Sequence, residues 1–117
     1  MPDKGDIVLL DFDPSAGKEI IKRRPALVIS RQSFNDHTGF SIVAPITNTV
    51  RGMALEIPLR GTATNGVVLM YQLRSLDVAS RNARFVEKVP TSIINKATEI
   101  AITCLLYTSD AADEEDS

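Results

Sequence analysis

The chain has 117 residues, and its single cysteine excludes an internal disulfide. This length suits one domain with one hydrophobic core. The formal net charge of −2 is unevenly distributed, because five of the 15 acidic residues lie in the last eight positions and all 13 basic residues precede them. The chain has no secretory signal and no apolar run long enough to cross a membrane, so we expect a soluble, cytoplasmic protein whose mildly basic part permits binding to nucleic acid.

Short apolar runs separated by turn residues predict seven strands. The fifth and sixth predicted strands are ambiguous, since residues 67–78 form either two strands or one long bent strand. Between the second and third strands, residues 32–39 read as a polar excursion that ends in a glycine turn. The predicted strands are 7–12, 26–30, 40–46, 55–59, 67–71, 72–78 and 84–88.

The hydrophobic period changes after Pro90 and predicts the only helix. Apolar residues then recur at spacings of one, three and four, which indicates an amphipathic helix over residues 92–106 with Thr91 or Ser92 as its N-cap. The predicted fold is therefore mainly β, a small antiparallel barrel or strongly bent sheet with a C-terminal α-helix that plugs one side.

Residues 107–117 differ in kind from the rest of the chain. They are small and acidic and have no periodicity, which predicts disorder. The stretch from Leu105 to Glu114 looks like translated adaptor or vector sequence, so a non-native tail is expected. We accordingly predict one domain over residues 1–106.

The connection between the first two strands is long and cationic. Four cations, Lys18, Lys22, Arg23 and Arg24, lie within seven residues around one carboxylate, Glu19. Such a loop invites an anion. Pro25 biases Arg24 toward an extended conformation at the mouth of a strand.

A second polar site follows the third strand, where Thr47 and Asn48 lead to Arg51. From spacing alone a simpler interpretation is available. Arg24 then pairs with Asp11 or Asp13, and Thr47 is an ordinary sheet threonine. His37 is the only histidine and has no second histidine or cysteine at ligand spacing, so neither a metal site nor another cofactor is predicted. Its polar context favours an exposed turn residue over a catalytic one.

A series of motifs in a fixed order resembles one known family over residues 3–106. The residues that carry the resemblance are Gly5 to Val8, Asp11 to Pro14, Gly17, Glu19, Arg24 to Ser30, Pro45 to Thr47, Gly66 to Leu69 and Gln72 to Asp77. The chain is similar to the MazF/PemK family of toxin endoribonucleases. The resemblance implies an SH3-like, PemK-like barrel with a C-terminal helix, a homodimer, metal-independent cleavage of single-stranded mRNA, and neutralisation by a cognate MazE-like antitoxin.

The resemblance also implies roles for single residues. The family's catalytic arginine and threonine match Arg24 and Thr47, its loop glutamate matches Glu19, and its strand glutamine matches Gln72. Glu19 is the base or orients Arg24, and the orienting role is favoured because surrounding cations weaken a carboxylate as a base. Phosphate or RNA contacts are expected from Lys18, Lys22, Arg23, Asn48, Arg51 and Gln72.

Two alternatives remain beside an endoribonuclease toxin. A non-enzymatic toxin on the same barrel would bind a protein target such as DNA gyrase, as the CcdB poisons do. A plain SH3-like adaptor would leave the cationic loop without a function.

Overall fold

The computed structural model describes residues 1–12, 23–50, 52 and 54–107. The predictions for Lys18, Glu19, Lys22 and Arg51, and for the tail beyond residue 107, therefore lie outside the described residues. Among the described residues the chain forms seven strands and two α-helices. These are β1 (Asp6–Asp11), β2 (Arg23–Val28), α1 (Gln32–Thr38), β3 (Ser41–Thr47), β4 (Glu56–Pro58), β5 (Val67–Leu69), β6 (Arg74–Leu76), β7 (Arg84–Lys88) and α2 (Thr91–Ile102).

All strand pairs are antiparallel, in the order β4-β5-β3-β2-β1-β7, and β6 pairs with β3 as well. The central strands β1, β2 and β3 are buried on both faces. One face packs on α2 through Ile93, Ala97 and Ala101, and the other covers a second cluster. The second cluster consists of Val8, Leu10, Ala26, Val28, Val43, Leu76 and Val78. A bent antiparallel sheet with a C-terminal helix is thus confirmed.

The expected polar excursion before β3 is instead the short helix α1. It ends at Gly39, whose left-handed backbone (φ 81°) lets its N–H donate to the Asn35 carbonyl. The helix has no apolar stripe. Its anchor is the fully buried Asn35 side chain, whose Nδ2 donates to the carbonyls of Pro2 (2.8 Å) and Ser30 (3.1 Å). His37 is exposed in the last turn of α1.

The C-terminal helix begins one residue earlier than predicted, at Thr91, and Pro90 occupies the N-cap. No side chain donates or accepts a capping bond there, so the assignment of Thr91 or Ser92 as the cap is wrong. The α-helical part ends at Ile102, and a π-helical turn covers Thr103–Tyr107. No helix within the described ranges is long and apolar enough to span a bilayer.

The Glu87 carboxylate ties edge strand β7 to the turn before β5. It accepts hydrogen bonds from the N–H groups of Ala63 (3.1 Å) and Thr64 (2.8 Å) and from the Thr64 hydroxyl (2.7 Å). These donors, the Thr64 hydroxyl first, hold the pKa of Glu87 below its ordinary value. The carboxylate therefore stabilises this turn in its charged form.

Replacing Glu87 by glutamine is expected to lower stability at neutral pH and to remove a pH dependence. Because the folded pKa is depressed, the stabilisation is complete above the unfolded pKa of about 4.3 and is lost as the pH falls through the folded pKa. With allowance for solvent screening the loss is about 1 kcal/mol, or about 4 °C in Tm. Thermal melts between pH 7 and pH 3 test this. The exposed Glu99→Gln variant is the control, and an equal loss at both ends of the pH range would contradict the assignment.

Candidate active site

The pairing of β2 with β3 brings Arg24 and Thr47 together. Ala26, Leu27 and Val28 lie opposite Pro45, Ala44 and Val43. This ladder ends at Ala26 and Pro45, and Thr47 itself pairs with Val67 of β5. Extended by two residues, the β2–β3 register would set Arg24 opposite Thr47. Directly opposed residues of an antiparallel pair project from the same face, so these two side chains share one face at the end of the sheet.

The other neighbour of Arg24 is β1, where Leu10 lies opposite it. Arg24 is exposed, while Leu10 is fully buried in the second cluster. The arginine is therefore fixed between two buried strands at the rim of an apolar face, with its guanidinium presented to solvent. No hydrogen bond or ion pair links that guanidinium to another described residue.

The Thr47 hydroxyl is oriented by the chain that follows β3. Its Oγ1 accepts the Thr49 N–H at 3.1 Å, a local turn in which the side chain replaces a backbone acceptor. An oxygen that accepts from this side has its hydrogen available to donate elsewhere. Thr47 is half-buried and Asn48 is exposed, so both can reach a ligand at the strand end.

Arg23, the neighbour of Arg24, projects to the opposite face and is engaged by the protein. Its Nη1 forms an ion pair with Asp11 Oδ1 at 3.0 Å, and its Nη2 donates to the carbonyls of Leu9 (3.1 Å) and Asn82 (2.8 Å). The simpler interpretation that Arg24 pairs with Asp11 is therefore wrong, because Arg23 holds that carboxylate. Asp13 lies outside the described residues.

Gln72 lies in a bulge beside β3. Both β5 and β6 pair with this strand, through Ile46–Val68 and Val43–Arg74 respectively. Between these two pairs β3 has two residues, whereas the segment that joins β5 to β6 has five. The three additional residues form the 3-10 helix Met70–Gln72. The ambiguous region is thus two short strands along one path, and the bulge between them exposes Gln72.

Arg74 is a further cation on the Arg24 face that had no role in the sequence interpretation. It pairs with Val43, which pairs in turn with Val28 of β2, so strand alternation relates it to Arg24. Its guanidinium lies 5.5 Å from the centroid of the Phe12 ring. The only signal in the sequence for a role of Arg74 was its position in a predicted strand, two residues beyond Gln72.

The chain matches the model of the PemK-like, MazF-like toxin family of type II toxin-antitoxin systems over residues 3–105. A small bent β-sheet with an arginine and a threonine at one strand end agrees with that class. The chain belongs to this family, as its sequence motifs had indicated.

The relatives agree on family and fold. The chain is 37% identical over 83 residues to the endoribonuclease toxin MazF of Escherichia coli K12, covering 71% of this chain and 75% of the relative. It is 39% identical over 101 residues to the endoribonuclease toxin ChpB of the same strain, covering 81% and 86%. A MazE-MazF crystal structure from Deinococcus radiodurans superposes with a TM-score of 0.83 at 35% identity, covering 92% and 97% of the two chains. The predicted SH3-like barrel is confirmed by this likeness.

Proposed function

We propose that this toxin is an endoribonuclease that cleaves single-stranded mRNA without a metal ion, through attack of the RNA 2′-hydroxyl on the adjacent phosphate. The observation that carries the proposal is the β2–β3 register, in which Arg24 and Thr47 each lie two residues beyond the last pair, Ala26 and Pro45, and so on the same face. The relatives that the chain matches are named as endoribonucleases, which does not favour the gyrase-binding alternative.

In this reaction the 2′-oxygen forms a bond to phosphorus and the bond from phosphorus to the 5′-oxygen breaks. The 2′-hydroxyl gives up a proton and the 5′-oxygen gains one, so the products are a cyclic phosphate and a free 5′-hydroxyl. Arg24 is suited to the doubly negative phosphorane between these states, because a guanidinium offers paired donors and stays charged at any working pH. It is unsuited to proton transfer for the same reason.

Thr47 supplies a third donor. Its oxygen accepts the Thr49 N–H, and its hydroxyl hydrogen is available to donate to a ligand on the face that it shares with Arg24. We assign Thr47 to donation to a phosphoryl oxygen, and Glu19 to orientation of the Arg24 guanidinium.

The remaining predicted contacts bind RNA along the site. Asn48 and Gln72 are exposed and lie beyond opposite ends of the β3–β5 ladder. Both are suited to base or sugar contacts. Lys18, Lys22 and Arg51 are proposed as phosphate contacts, each of which steepens the salt dependence of binding. The expected phosphate contact of Arg23 is not retained, because its guanidinium is bound to Asp11 and to the carbonyls of Leu9 and Asn82 on the other face of the sheet. The rest of our proposal follows from the family: a toxin domain over residues 1–106 that acts as a homodimer in the cytoplasm, where its mRNA substrate is, and that a MazE-like antitoxin neutralises.

The test is to incubate the purified protein with a long single-stranded RNA in excess EDTA and to map both new ends. We expect cleavage at a repeated short word, with a cyclic phosphate or 3′-phosphate on one side and a 5′-hydroxyl on the other. Thr47→Val keeps the shape of the side chain and removes the donor, and it is expected to lower the cleavage rate about 100-fold. Folded wild-type protein that leaves the RNA intact would overturn the proposal.

A further inference from the structure

A network of polar side chains fastens the ends of β1 and β2, the two strands between which residues 13–22 run. The buried Asp11 carboxylate accepts a hydrogen bond from Arg23 Nη1 on Oδ1 (3.0 Å) and one from Asn82 Nδ2 on Oδ2 (2.9 Å). Arg23 also reaches the Asn82 carbonyl. The network thus joins the last paired residues of both strands to the segment that follows β6.

Arg81 binds the end of β1 from the same segment. Its Nη1 donates to two successive backbone carbonyls, of Asp11 at 3.1 Å and of Phe12 at 2.7 Å. A carbonyl beyond the last ladder pair has no strand partner, and a charged donor satisfies it more strongly than a neutral one. Arg81 therefore fixes the path of β1 where the sheet no longer does.

The backbone at Asn82 makes this geometry possible. Asn82 ends the 3-10 helix Val78–Arg81 in the left-handed region (φ 54°, ψ 43°), which asparagine tolerates better than most residues. The sharp turn lets Arg81 and Asn82 both bond Asp11, the first at its main chain and the second at its side chain.

The position of Arg24 depends on this region. Arg24 lies opposite Leu10, one pair inside the terminal pair of Asp11 and Arg23. Strand ends separate most readily at the last pair, and a displacement of about 1 Å in a catalytic group can cost about 100-fold in rate. Whatever holds the terminal pair therefore holds the backbone of Arg24, from which its guanidinium projects.

We propose that Arg81 is a positioning residue for the reaction, which locks the ends of β1 and β2 so that Arg24 stays opposite Leu10, on the face that it shares with Thr47. The expected effect on cleavage rests on the proposed function. The lock itself, which is the binding of Arg81 to the end of β1, does not rest on it. The Nε of Arg81 is buried without a hydrogen-bond partner among the described residues, an arrangement that costs stability. That cost offsets part of the stabilisation that the two Nη1 hydrogen bonds to the end of β1 provide.

The experiment compares Arg81→Met with Lys88→Met. Lys88 forms an ion pair with Asp6 at 2.8 Å and donates to the Lys4 carbonyl at 3.1 Å, so its replacement removes one charge and two polar contacts at the opposite end of β1. Two readouts are taken at a temperature where melts show both variants folded. One is amide hydrogen exchange at residues 9–11 and 23–24, and the other is kcat and KM on an RNA fragment that contains the mapped cleavage word.

We expect exchange at these amides to be at least tenfold faster in Arg81→Met than in Lys88→Met. We also expect kcat to fall about 10- to 100-fold with KM within about twofold of the wild-type value. Equal exchange in the two variants would overturn the lock, and a raised KM with unchanged kcat would make Arg81 an RNA contact instead. An inactive wild-type protein would overturn the proposed function, while the exchange measurement would still decide the lock.

Discussion

Replacing Arg24 by alanine is expected to lower the rate constant of RNA cleavage by about two to three orders of magnitude, without a matching loss of RNA binding. Removal of one donor group from a developing oxyanion typically costs about 3 to 4 kcal/mol of transition-state stabilisation. Several other cations are proposed to hold the phosphates, so the ground-state complex loses only one contact. Single-turnover cleavage and equilibrium binding of the same RNA fragment separate the two effects.

Two further variants make the Arg24 result specific. Arg24→Lys keeps the charge but loses the paired donors, and it is expected to recover less than a tenth of the wild-type rate. Arg31→Ala removes one exposed positive charge just before α1 and serves as the control for net charge. Equal rates for Arg24→Ala and Arg31→Ala would show that Arg24 contributes only general electrostatic attraction.

The sequence predicted most strands because a strand is a local apolar pattern. Residues 84–88 were predicted within the observed bounds of β7, and the apolar run of β2 is buried as expected for a central strand. Helix α1 was missed for a physical reason. Its anchor is the buried amide of Asn35, which donates to the nearby Ser30 carbonyl and to the carbonyl of Pro2, distant in the chain, and no periodic pattern reports such bonds.

The candidate site was predictable in its members and less so in their arrangement. Adjacent strand residues point to opposite faces, so only one of Arg23 and Arg24 can share the face of Thr47. Which one does depends on strand register, and register depends on pairing between distant segments. The structure sets Asp11 opposite Arg23, which leaves Arg24 opposite Leu10 and on the same face as Thr47. The family resemblance had selected Arg24, whereas composition alone treats the two arginines alike.

Gly66 controls the position of Thr47, and Gly66→Ala is expected to impair both folding and cleavage. Gly66 precedes Val67, the β5 residue that pairs with Thr47, and its backbone has a φ of 124°. A Cβ at this position would lie 2.9 Å from the carbonyl carbon of Thr47 and closer still to the carbonyl oxygen. Since that neighbour is backbone, relief requires the end of β3 to move.

The expected cost of Gly66→Ala is about 2 to 4 kcal/mol of unfolding free energy, the sum of backbone strain and overpacking. Cleavage by the folded fraction is expected to fall at least tenfold, because the strand end that moves carries the Thr47 hydroxyl. The control is Gly61→Ala, which has a positive φ of 74° but only Pro90 Cγ near the new methyl, at 3.5 Å. Denaturant melts and cleavage rates for both variants test the assignment. If strain alone were responsible, Gly61→Ala would lose about as much activity as Gly66→Ala, whereas displacement of Thr47 predicts that only Gly66→Ala cleaves slowly while folded.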